Sequence, residues 1–151
     1  MKVSTKARYG LRALVDLAVH STGDQVPLAY IAQRQLLSAN YMEQVFSSLK
    51  KTGIVKSIKG AQGGYILARR SCDITVGEII RAIEGEIVIV EEEEIKDNVS
   101  LIYISMQKCL QEQVWNKITE AICQVIDHIT LEDLMKEYEK LNQKDILMYY
   151  I

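Results

Sequence analysis

From Asn98 to about Ile129 the chain has neither proline nor glycine, and apolar residues recur at Val99, Tyr103, Met106, Leu110, Val114, Ile118, Ile122, Val125 and Ile129. Spacings of three and four sustained over that length predict one helix of roughly 45 Å, at ~1.5 Å per residue. A chain of 151 residues cannot cover so long an apolar stripe by itself. The economical cover is the same helix of a second copy, so the stripe predicts a homodimer with this helix at its centre.

Charge divides the chain in two. Net charge is only -2, but residues 1–70 carry eleven Lys and Arg against three Asp and Glu, a net of +8, and residues 71–151 carry seven against seventeen, a net of -10. A basic half is an electrostatic footprint for a polyanion, while an acidic half is repelled by phosphate.

At 48% hydrophobic residues the chain can bury the core of one ordinary domain with an appendage. No apolar run is long enough to span a bilayer, and "MKVSTKARYG" lacks the apolar centre of a signal peptide, so a cytoplasmic protein with no membrane partner is expected. Cys72, Cys109 and Cys123 are odd in number and form no CxxC pair, which indicates neither a disulfide framework nor a zinc site. They read as buried thiols. His20 and His128 stand alone near expected helix ends, no nucleophile context assembles, and no enzyme is predicted.

The local patterns order themselves along the chain. Leu11, Leu14, Val15 and Ala18 predict a first helix over 4–20, with Ser4 or Thr5 as its cap. Leu28, Ile31 and Ala32 mark a short second helix after Pro27, and Ser38 caps a third whose apolar stripe is Met42, Val45, Phe46 and Leu49. After Gly53, "IVKSIK" and "YILAR" read as strands joined by "GAQGG", a glycine-bearing hairpin loop. Three helices and a hairpin give a mainly α fold with a small β-hairpin wing, a winged helix-turn-helix domain over 1–85. An acidic loop over 86–97, the long dimerisation helix over 98–129, and a C-terminal helix and tail over 130–151 follow. Capping boxes at Thr75/Glu78 and Thr130/Asp133 start the fourth and last helices. Glu91 to Glu94 read as a solvated loop and are assigned no chemistry.

This order points to double-stranded DNA as a partner. On the third helix Asn40 and Gln44 suit paired hydrogen bonds to adenine edges, Glu43 suits cytosine N4, and Ser38 and Tyr41 reach phosphate, with Tyr41 equally readable as a core aromatic. Arg8, Lys50, Lys56 and Lys59 supply backbone charge. Gly60, Gln62 and Gly63 let the wing tip approach the duplex closely.

"MKVSTKARYGLRALVDLA", "SANYMEQVFSSLKKTGIVKSIKGAQGGYIL" and "ITVGEIIRAIEG" closely resemble the Rrf-two (Rrf2) family of bacterial winged-helix transcription regulators, over essentially the whole chain. The resemblance implies a homodimeric repressor on palindromic operators. The wing carries Lys59 where arginine is usual in the family. Cluster-binding members carry three cysteines and a fourth ligand near the start of the long helix. Here only Cys109, in "KCLQEQVW", stands in a family-like context, and Glu112 replaces the ligand histidine. The expectation is therefore a regulator without a bound cofactor or metal, with Cys109 a relic or a simple thiol sensor. The alternatives are an iron–sulfur redox sensor, or an interaction module that keeps the fold and regulates through a partner enzyme, cysteine synthase. "ILMYYI" is similar to the C-terminus of the family's cysteine-metabolism repressor, which works with cysteine synthase. That likeness implies control of cysteine, sulfur or redox-related genes and docking of Tyr149, Tyr150 and Ile151 on that enzyme, or else a tail folded onto its own dimer.

Overall fold

Ser4 starts helix α1 (Thr5–His20) by accepting a hydrogen bond from the Ala7 N–H at 3.0 Å. In the computed structural model, which describes residues 2–150, α1 is followed by α2 (Leu28–Gln35), α3 (Ala39–Lys51) and a hairpin of β1 (Val55–Ile58) and β2 (Gly64–Leu67). Helix α4 (Val76–Glu84) closes this first unit. The stripe of α3 is fully buried at Met42, Val45, Phe46 and Leu49, against Leu14 and Leu17 of α1, Ile31 of α2 and Ile79 of α4. The strands pair antiparallel from Val55 opposite Leu67 to Ile58 opposite Gly64. A bridge between Val26 and Tyr65 ties the hairpin to the α1–α2 connection. This is the winged helix-turn-helix expected from the residue pattern.

One buried charge fixes the helix pair. Asp16 has 2% of its side chain exposed and accepts from Arg34 Nε and Nη2, the latter at 2.6 Å, and from Gln35 Nε2 at 2.7 Å. These bonds pin the end of α2 to α1. They also fix the turn that follows, where Leu36 takes a left-handed conformation with φ +56°. That region costs an ordinary L residue ~1–2 kcal/mol.

The second half differs from expectation in three ways. The long helix begins at Leu101, capped by Ser100, because Asn98 turns left-handed with φ +71°. Val99 therefore lies before the helix and is not part of its stripe. The helix comprises α5 (Leu101–Leu110), a π-helical turn (Gln111–Trp115) and α6 (Asn116–His128). The wider turn changes the phase of α6 relative to α5, which no regular three-and-four spacing anticipates. Finally, the C-terminal helix expected ahead of a tail takes in most of that tail as well, since α7 (Leu131–Tyr149) is helical almost to the end of the described residues. Both predicted capping boxes form, at Thr75/Glu78 and Thr130/Asp133.

The two halves meet at α4 and α6. Arg81 grips Asp127 with two parallel bonds of 2.7 and 2.9 Å. Gly77 makes this approach possible: a Cβ there would stand 1.8 Å from Asp127 Oδ1. Backbone bonds from Val76 N–H to the Ile129 carbonyl and from Leu131 N–H to the Ile74 carbonyl extend the junction, and Leu131 is wholly buried in the first unit's core. No residue of α5, the π turn or α6 is buried.

Two outcomes follow for stability. Arg34→Ala leaves the buried Asp16 carboxylate without its charged partner and lowers unfolding free energy by about 3–5 kcal/mol, read from urea melts. The Arg81 hydrogen bond, aided by its charge, holds the Asp127 carboxyl below its ordinary 3.8. Its contribution is then fully present above about pH 5 and lost as pH falls through the depressed native value. The stability difference between wild type and Asp127→Asn is flat near neutrality and shrinks in acid.

Candidate nucleic-acid interface

Helix α3 shows solvent one face only. With Met42, Val45, Phe46 and Leu49 turned into the core, Ser38, Ala39, Asn40, Glu43, Gln44 and Ser47 are exposed. Ser38 Oγ accepts from the Tyr41 N–H at 3.2 Å, so the cap serine also orders the first turn. Tyr41 is half-buried, with its ring edge-on to Tyr9 at 6.1 Å between centroids, and packs against the core. Its aromatic reading therefore has a structural basis.

The wing is aligned with α3 by one aromatic contact. Tyr65 of β2 meets Phe46 of α3 edge-on at 4.9 Å. Burial pushes the Tyr65 phenol up, and the neighbouring Glu43 carboxylate adds to the effect. Exposed Glu43 thus lies near the Tyr65 phenol of the wing, a proximity that α3 taken alone did not suggest. The wing turn closes with a bond from the Gly63 N–H to the Gly60 carbonyl at 3.0 Å, and Gly60 has φ +121°, a region open to glycine. Gln25 Nε2 donates to the Gln62 carbonyl at 2.6 Å, anchoring the tip from the α1–α2 connection. Gln25 was missed in the sequence because the contact spans 37 positions.

Lys50, at the end of α3, Lys56 on β1 and Lys59 at the wing tip are all exposed. None of the three joins an ion pair among the described residues, whereas Arg69 is held by Glu78 and Arg70 by Asp73. Arg8 stands apart from this set. It lines a groove between α1 and α7 with Leu11, Arg12, Leu134 and Glu137.

The thiols are more open than expected: Cys109 is exposed, and Cys72 and Cys123 are half-buried. On the long helix Tyr103, Met106, Leu110, Ile118 and Val125 are exposed, and Val114 and Ile122 are half-buried. Leu101 and Ile102, at 81% and 80%, extend this apolar surface beyond the predicted stripe. Tyr149 and Tyr150 are exposed, and Ile151 lies outside the described residues.

A family model described as "Rrf2: Iron-dependent Transcriptional regulator" matches residues 3–137. The chain belongs to the Rrf2 family of transcriptional regulators. The Rrf2 relatives include the regulator CymR of Bacillus subtilis, 38% identical over the full length of both chains, and IscR of Vibrio atlanticus, 37% identical over 96% of this chain and 81% of that protein. Among solved structures, T. potens IscR matches with TM-score 0.71 and 43% identity over 93% of this chain and 90% of its own. The structure of B. subtilis CymR, described as the global cysteine regulator, also matches at 0.71, with 37% identity over 91% and 98%. The Rrf2 family is one of DNA-binding regulators and not of enzymes. Among the described residues, no helix is long and apolar enough to cross a membrane.

The "iron-dependent" description raises the question of an iron–sulfur cluster. Such clusters are held by about four ligands, chiefly thiolates. Between Gly85 and Trp115 this Rrf2 chain offers one thiol, Cys109, and no histidine. The nearby groove is lined by Glu92, Glu93, Glu94 and Glu112, which are hard oxygen donors, and by Tyr103 and Gln107, which donate to Glu93. No group of three or more His, Cys, Asp or Glu among the described residues is placed to hold a metal ion. This donor set does not fit an iron–sulfur cluster.

If the wing lies on DNA, Lys59→Ala is expected to weaken binding to different duplexes alike and to lower the log–log salt slope by about 0.9, measured by fluorescence anisotropy across a salt series.

Proposed function

We propose that this Rrf2 regulator is a homodimeric repressor of the CymR type, reading palindromic DNA without an iron–sulfur cluster. The observation that carries it is the joint surface of α3 and the wing. A polar face of Ser38, Asn40 and Gln44 stands beside a hairpin whose exposed lysines join no ion pair among the described residues. In this reading Asn40 and Gln44 meet adenine edges, Glu43 faces cytosine or is held back by Tyr65, and Ser38 and Tyr41 touch phosphate. Lys50, Lys56, Lys59 and Arg8 neutralise the backbone, and Gly60, Gln62 and Gly63 bring the wing tip close. The uncovered apolar surface of α5 and α6 pairs two copies, with half-sites about 34 Å apart.

The CymR assignment is supported by the missing cluster ligands and by an alignment that includes the C-terminal residues. Tyr149, Tyr150 and Ile151 dock on cysteine synthase, a mode in which pockets on the partner take the apolar side chains. Cys109 is exposed and available as a thiol sensor, and the genes controlled belong to cysteine, sulfur or redox metabolism. The second reading, an IscR-type cluster sensor, has the 43% identity with T. potens IscR in its favour.

One preparation separates the two. Protein purified anaerobically is expected to be colourless, to sediment as a dimer, and to co-purify with cysteine synthase in a manner lost on deleting Ile151. A visible cluster absorption band, with DNA binding that changes when the cluster is removed, would establish the IscR-type reading instead.

A further inference from the structure

Leu36 combines two properties that a turn residue rarely has together. It lies in the left-handed region, at φ +56° and ψ +45°, which side chains with a Cβ seldom occupy. It also exposes 91% of its surface, more than any other large hydrophobic residue described in the basic half of the chain. Glycine would relieve the backbone and a polar residue would suit water, but leucine does neither.

The conformation is imposed from the core. Arg12 Nη2 donates to the Gln35 carbonyl at 2.6 Å, the Leu37 N–H donates to the Ala32 carbonyl at 2.9 Å, and the Gln35 side chain donates to buried Asp16. A strained residue held this firmly calls for a functional account. Two residues later Ser38 caps α3, so Leu36 projects within about two Cα steps of ~3.8 Å from the helix N-terminus. That end of a recognition helix is the one that approaches base edges.

We propose that Leu36 is a DNA contact, covering an apolar patch of the duplex beside the bases met by Asn40. That patch is a thymine C5-methyl group, the one apolar feature of the major-groove edge, or the face of a deoxyribose. The inference rests on the reading of α3 as the recognition helix. An apolar contact of this kind displaces no counterions, so it adds affinity without adding salt dependence.

The probe is a duplex enriched by the wild-type protein from a random-sequence DNA library. Leu36→Gly is expected to melt no lower than wild type yet to bind this duplex about tenfold more weakly, as for lost apolar cover. The slope against salt stays unchanged, and Leu36→Met, which keeps apolar bulk, retains affinity. A uracil-for-thymine duplex that abolishes the difference between wild type and Leu36→Gly assigns the contact to the methyl group. Persistence of the difference assigns it to deoxyribose. If Leu36→Gly binds as tightly as wild type while Asn40→Ala is weakened, the Leu36 contact is wrong and the recognition helix stands. Equal weakening of Leu36→Met and Leu36→Gly likewise overturns the apolar contact. If neither Asn40→Ala nor Leu36→Gly is weakened, both readings fall together.

Discussion

The Asp16 carboxylate, enclosed by Arg34 and Gln35, is the interaction on which the winged-helix half depends. A charge so deeply buried is tolerable only when its partners are in place, which makes the geometry of α1 against α2 close to all-or-none. From this clamp follow the left-handed turn at Leu36, the position at which Ser38 starts α3, and the burial of the Met42, Val45, Phe46 and Leu49 stripe. Phe46 then passes the alignment to Tyr65 and the wing. Helix α3 and the hairpin are thus tied to one core through a short series of direct contacts.

A second constraint joins this unit to the long helix. Arg81, Asp127 and Gly77 bring α4 against α6, and Leu131 inserts into the core just after α6 ends. The long helix beyond is different in kind, since none of its residues is buried by the chain itself. A firm junction beside an uncovered apolar helix is an arrangement by which association between two copies would set the spacing of their two α3 helices. The π-helical turn at Gln111–Trp115 lies midway along that helix, beside the groove bordered by Glu92 and Glu112.

Much of the fold was legible because it is encoded locally. Ser4, Ser38, Thr75 and Thr130 announced helix starts through side chains that bond to backbone three residues on, and all four do so. The apolar stripe of α3 identified its buried face and therefore its exposed one. Less legible were features that depend on departures from periodicity. Nothing in the spacing of Val99, Tyr103 and Met106 announced that Asn98 would turn left-handed or that a π turn would follow Leu110. Likewise the apolar run near the C-terminus read as a tail, although its residues continue the helix begun by Thr130.

The sequence by itself determined the helix-rich order, the hairpin, the basic and acidic halves and the small polar face of α3, because each depends on neighbours within one or two turns or on simple charge. Tertiary structure alone decided that Glu43 lies beside Tyr65, that Gln25 holds the wing tip, that Arg8 belongs to the groove under α7, and that Leu36 is forced outward. Those outcomes join residues from 19 to more than a hundred positions apart, and only the packing of helices around a shared core brings such partners together.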